Sequence, residues 1–169
     1  HNIRGGCATS FRRGRFEFEP SLHELCSVGT ADRPDVVYKA FDDLGAKPNW
    51  AYETGHLFRA IVKGEDGYDI HLDAGIEGFC DSVEAAVPGC RENVKAFVML
   101  KQKIDAAIAY IYEMKGKPKG LTMLTKHTDF MRVAGHSVEE VMTAMGIPKK
   151  AQDMINTYWG YLGVPTDEL

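Results

Sequence analysis

The chain has 169 residues, 44% of them hydrophobic, with 20 Lys and Arg against 24 Asp and Glu and a net charge of −4. That is enough apolar material for one good-sized domain with a real core, and the acidic balance excludes the basic footprint of a nucleic-acid binder. No run of about 18 apolar residues is present, which excludes a membrane-spanning helix.

The opening HNIRGGCATS carries a glycine pair, Gly5-Gly6, and residues 11–19 follow it as a hairpin turning near Gly14. Its second arm alternates Phe16 and Phe18 with Arg15, Glu17 and Glu19. This is the period-two sign of a strand with one buried face, and Pro20 stops it. Arg12, Arg13 and Arg15 read as an exposed hairpin edge. Residues 35–44 read as a short helix with Gly45 as its C-terminal stop. A second hairpin has 57–62 and 68–72 as arms, and Gly64 and Gly67 between them supply the positive φ of a tight connection.

From residue 74 onward the pattern is almost wholly helical. Ile76, Phe79, Cys80, Val83 and Val87 recur at helical spacing up to Pro88-Gly89. A long helix is expected over 91–114, with Val94, Phe97, Val98, Ile104, Ile108 and Ile111 as its apolar stripe. After the break at 115–120 a third helix is expected over 121–132. Ser137-x-x-Glu140 is a capping box that opens a short helix, and Pro148 stands where a first helical residue would. A last stripe runs from Ala151 to Leu162, closed by Gly163 and Pro165. The fold class is therefore α+β, with N-terminal antiparallel hairpins in a small sheet packed against a C-terminal cluster of about five helices.

Familiar catalytic signatures are missing. There is no G-x-S-x-G, no Walker-type phosphate loop and no complete G-x-G-x-x-G. The six histidines and four cysteines include no H-E-x-x-H and no C-x-x-C, so no metal site is expected. Low cysteine density and a Met-rich interior fit free thiols in a reducing, cytoplasmic compartment. Asp42-Asp43 and Glu139-Glu140 are sequence neighbours that a helix turns apart, hence solvated faces rather than an acid/base pair. No residue presents itself as a general acid, base or nucleophile, and the catalytic residues are unknown at this level. The diglycine is the most informative local feature. It is a plain turn in isolation, but paired glycines also let backbone N–H groups approach a phosphate or hydroxyl closely.

Arg4-Gly5-Gly6-Cys7-Ala8-Thr9-Ser10, followed by Gly14-Arg15-Phe16-Glu17-Phe18-Glu19, resembles a segment of the phytoene-desaturase-like FAD-dependent oxidoreductases. Carotenoid isomerases and retinol saturases are relatives within that family. In it, Gly-Gly and a small hydroxyl follow the second strand of the nucleotide-binding domain. Residues 151–165, with Tyr158-Trp159-Gly160-Tyr161-Leu162-Gly163-Val164-Pro165, are similar to the family's W-x-Y-x-G-x-P region in the substrate-domain helices. The resemblance implies FAD as cofactor, with Gly5 and Gly6 near its ribityl-pyrophosphate part and Ser10 at the small hydroxyl position, or Thr9 if the register differs by one. It further implies Arg4 as a phosphate or ribose neighbour and His23 near the flavin ring. Met154, Tyr158 and Trp159 would face an apolar substrate of the isoprenoid, carotenoid or retinoid kind.

On this resemblance, residues 1–34 are a remnant of the FAD-binding region and 35–169 a substrate-binding lobe. The acidic residue and the strand–G-x-G-x-x-G–helix unit that hold the rest of the cofactor lie outside the sequence. The expectation is an internal fragment of an oxidoreductase, inactive alone and short of flavin. The alternative is a non-catalytic module for an apolar ligand or a protein partner. The seven methionines with Phe97, Phe130, Tyr158 and Trp159 line an apolar tunnel on the first reading and are plain core on the second. Membrane-surface association, for access to such a substrate, and homo-oligomerisation through exposed apolar surface both stay open.

Overall fold

The computed structural model describes residues 9–18, 25–52, 55–157 and 164–168. Among them the chain is α+β, with seven helices and two separate antiparallel hairpins. It divides into two compact units, residues 1–51 and 52–169.

In the first unit, β1 (Phe11–Arg13) and β2 (Phe16–Phe18) pair in the register Phe11↔Phe18, Arg12↔Glu17 and Arg13↔Phe16. Gly14, at φ +60°, takes the first central position of a two-residue turn, the place where a II′-type hairpin needs glycine. Arg12 pairs with Glu17 at 2.8 Å on one face, and Phe11 stacks on Phe18 at 5.1 Å on the other. The expected buried face is not buried. Phe16 is 57% exposed, because alternation reports only which side chains share a face and says nothing about what covers them. Further on, the Asp35 carboxylate accepts the N–H of Val36 and caps α1 (Val36–Asp43). Gly45, at φ +70°, ends it as expected. Phe41 meets Trp50 edge-on at 5.4 Å.

The second unit is built on β3 (His56–Val62) and β4 (Tyr68–Asp73). Ala60 and Leu72 point to the inner face of this hairpin and are fully buried. The outer face carries the Arg59–Asp69 ion pair, diagonal across the strands. Six helices follow: α2 (Ile76–Ala86), α3 (Arg91–Glu113), α4 (Gly120–Lys126), α5 (Thr128–Val133), α6 (Val138–Ala144) and α7 (Lys149–Ile155). Leu72, Cys80, Val83, Val94, Met142 and Ala151 make the centre of one core that joins β4, α2, α3, α6 and α7. At 23 residues α3 is about 35 Å long and forms the spine of the unit.

The capping box at Ser137 is formed in both directions. The Ser137 hydroxyl accepts the Glu140 N–H at 3.2 Å, and the Glu140 carboxylate accepts the Ser137 N–H at 3.0 Å. Pro148 is the cap of α7 rather than its first residue. The single helix expected over 121–132 is two helices. His127, at φ −121° and ψ 37°, leaves the helical region between them, and its ring stacks on Tyr110 of α3 at 5.2 Å. The apolar spacing is continuous through the break, so periodicity gives no sign of it.

The α2–α3 corner is fixed by charge. Glu84 of α2 accepts the N–H groups of Gly89 at 2.7 Å, Cys90 at 2.9 Å and Arg91 at 2.7 Å, and so caps α3 from the preceding helix. The N–H groups of Gly89 and then Arg91 hold its carboxyl below the usual carboxylate range, with burial opposing them. Arg91 then reaches Asp81 and Glu77 at 2.6 Å each and Glu92 at 3.0 Å.

A carboxyl whose pKa is depressed on folding contributes stability above its unfolded pKa. That contribution is lost as pH falls through the folded value. Glu84→Gln is therefore expected to melt below the parent at neutral pH and to converge with it as the pH drops below about 4. Thermal unfolding across that range checks this, and parallel pH profiles for parent and variant would remove Glu84 from the acid limb.

Candidate functional site

Two apolar clefts lie side by side in the second unit, along α3 at the edge of the core. The first, of about 640 Å³, is walled by Met99 of α3, Arg132 of α5, Ala144 of α6 and Met145 just after it. The second, of about 510 Å³, is walled by Phe79 of α2, Phe97 and Ile104 of α3, Phe130 of α5 and Ile155 of α7. Leu100, Val133, His136 and Val141 line both, so a ridge of four side chains divides one from the other. Each volume falls within the range of small-molecule sites.

The local sequence explains the geometry. Met99, Leu100, Lys103 and Ile104 recur at helical spacing along α3 and present a stripe with charge at one edge. The short α5 lies alongside that stripe, held by an ion pair between Lys103 and Asp129 at 2.7 Å. Arg132 approaches the same carboxylate at 3.7 Å. Lys103 first, then Arg132, holds the Asp129 carboxyl below its ordinary range. On the opposite edge His136 meets Glu140 at 3.2 Å. Polar groups thus occupy the rim of the first cleft, and its floor is hydrocarbon and thioether.

The residues expected to form a site are distributed as follows. Ser10 is exposed immediately before β1, and Thr9 beside it is half-buried. Met154 has no exposed surface on α7 and lines neither cleft. Arg4, Gly5, Gly6, His23, Tyr158 and Trp159 lie outside the described residues. Of the wider apolar set, Met99, Met145, Phe97 and Phe130 are brought to the clefts, whereas Met123, Met142 and Met154 are core.

A polar cluster on the outer face of the β3–β4 hairpin is absent from the sequence reading. His56 Nδ1 lies 2.5 Å from Asp73 Oδ1, and the His56 and His71 rings are 4.4 Å apart. A β-bulge between His56 and Phe58 shifts the register by one residue and so brings His56 across from Asp73, which a regular hairpin alignment of the sequence would have missed. Ser82 lies nearby, but its hydroxyl donates to the Gly78 carbonyl at 2.8 Å and accepts the Asp73 N–H. That commitment denies the histidine a nucleophile to activate. Cys80 and Cys90 are buried, and burial pushes both thiols up, away from nucleophilic thiolate.

No group of three or more His, Cys, Asp or Glu side chains able to hold a metal occurs among the described residues. No helix among them is long and apolar enough to cross a membrane. Comparison of the chain with protein-family models, with curated proteins and with solved structures gives no match in any of the three.

Proposed function

We propose that the second unit binds an elongated apolar small molecule in the double cleft beside α3. The observation that carries this reading is the pair of adjoining clefts separated only by the Leu100–Val133–His136–Val141 ridge, with an apolar floor and a charged rim. Leu100 can shift its rotamer at small cost, and Met99 and Met145 beside the ridge conform to irregular ligands, so the ridge is a divider that a long ligand can displace. The neutral dye Nile red is expected to bind with a blue-shifted, intensified emission. Met99→Asp, at a position already 41% exposed, should abolish that signal without changing the circular dichroism. A dye signal unaffected by Met99→Asp would overturn the assignment.

The flavin-dependent oxidoreductase reading is a second proposal, and the order of sequence features favours it. A diglycine segment precedes a Gly14-turned aromatic hairpin near one end, and the W-x-Y-x-G-x-P-like stretch lies near the other. On that reading the clefts belong to the substrate side and FAD supplies the redox chemistry. The described residues do not themselves fit the cofactor. Ser10 is exposed, and the N-terminus of α1 is taken by the Asp35 carboxylate, which repels a phosphate. On that reading any hold on FAD by this chain falls to Arg4, Gly5, Gly6 and His23, which lie outside the described residues, and no catalytic step is assigned through it. The visible spectrum decides between outcomes. Near-stoichiometric flavin bands in the full gene product, and none from this chain alone, are expected; a colourless full product would exclude the flavin reading.

A further inference from the structure

We infer that the first cleft takes an apolar chain ending in a carboxylate, with the head group received by Arg132 at the rim beside Lys103; this rests on the apolar-ligand reading above. The charge arrangement at that rim is unequal. Lys103 and Arg132 are two permanent cations facing one carboxylate, Asp129. Lys103 Nζ takes Asp129 Oδ2 at 2.7 Å, a full hydrogen-bonded ion pair. Arg132 Nη1 is left at 3.7 Å from Oδ1, beyond hydrogen-bond length, and its side chain is 79% exposed. The trio therefore carries one uncompensated positive charge, and its bearer is a planar fork with five donors that matches a carboxylate in two-point contact.

The other carboxylate lining this cleft makes no ion pair with Arg132. Glu140 Oε2 is engaged instead by the Ser137 N–H and by His136 at the start of α6. A ligand of pure hydrocarbon draws nothing from Arg132 at the rim, which water already solvates, and a cationic head would be repelled by it. An anionic head on an apolar tail satisfies both parts. The tail takes the floor formed by Met99, Leu100, Val141 and Met145, and the head reaches Arg132 without displacing Lys103 from Asp129.

The test is displacement of bound Nile red from the full chain by dodecanoic acid and by dodecanol at about pH 8, where the acid is ionised. In the parent the acid is expected to displace the dye at roughly fivefold lower concentration than the alcohol, the upper end for an exposed ion pair. That advantage should shrink as salt is added. Arg132→Gln, at an exposed position that leaves the Lys103–Asp129 pair intact, should bring the acid to the level of the alcohol. Equal displacement by the two ligands in the parent, or a preference that survives Arg132→Gln, overturns the head-group assignment while the apolar cleft stands. Failure of both ligands to displace the dye overturns the cleft reading and the head-group assignment together.

Discussion

Met142→Ala is expected to destabilise the second unit by about 2–5 kcal/mol, the cost of truncating a large buried side chain whose surroundings relax only in part. Met142 lies on the inner face of α6 with no exposed surface, in the core shared with β4, α2 and α3. Its sulfur also receives the Asn156 amide at 3.5 Å, so the truncation loosens the end of α7 as well. Chemical denaturation with the slope held constant is the measurement, and a loss under about 1 kcal/mol would mean that α6 is not part of the cooperative core. Met99→Ala serves as the contrast. Met99 is another α-helical methionine, but it stands at the cleft wall and is 41% exposed, so its loss should fall well below that of Met142.

Gly67→Ala is expected to cost about 1–3 kcal/mol and to shift the pairing of β3 with β4. A methyl group there would stand 2.4 Å from the Val62 carbonyl oxygen and 2.9 Å from that of Gly64. Both are backbone atoms, one at the end of β3 and the other in the connection, so neither can swing aside as a side chain would. The Gly67 N–H also closes that connection onto Gly64 O at 3.1 Å. Gly120→Ala is the control. A methyl at Gly120 meets nothing within 4 Å, so the change at the start of α4 should be neutral or slightly stabilising. Backbone amide shifts across 56–73 read out the pairing, and an unchanged hairpin with parental stability would show that the close approach at Gly67 is easily relieved.

What the sequence made legible follows the range over which each signal acts. Ser137-x-x-Glu140, Gly45 and Gly64 are settled by contacts within a few residues, and each lies where the pattern placed it. Gly67 does not take the expected positive φ; what demands glycine there is the close approach of the Val62 carbonyl. The α+β class follows from the same local grammar. The break at His127 depends on a stack with Tyr110, 17 residues away in sequence, and no local rule anticipates it. The exposure of Phe16 and Phe18 shows the same limit from the other side. The clefts are further from view still. Met99 and Met142 look alike as sequence, and only the packing of the helices separates cleft lining from core.

The break at His127 has a consequence for how anything enters the clefts. α5 is six residues long, buries no side chain completely, and is tied to α3 at its flank by the Lys103–Asp129 pair and at its start by the His127–Tyr110 stack. The opposite wall, α3, is anchored at its head by Glu84 and Arg91 and runs through the core. The two walls therefore differ in what holds them, one by core packing and the other by an exposed ion pair and a single ring stack. On the apolar-ligand reading, entry would need only the α5 wall to part, leaving the core closed. The clefts and the stability-giving core would then be separable, and either could change in sequence without the other following.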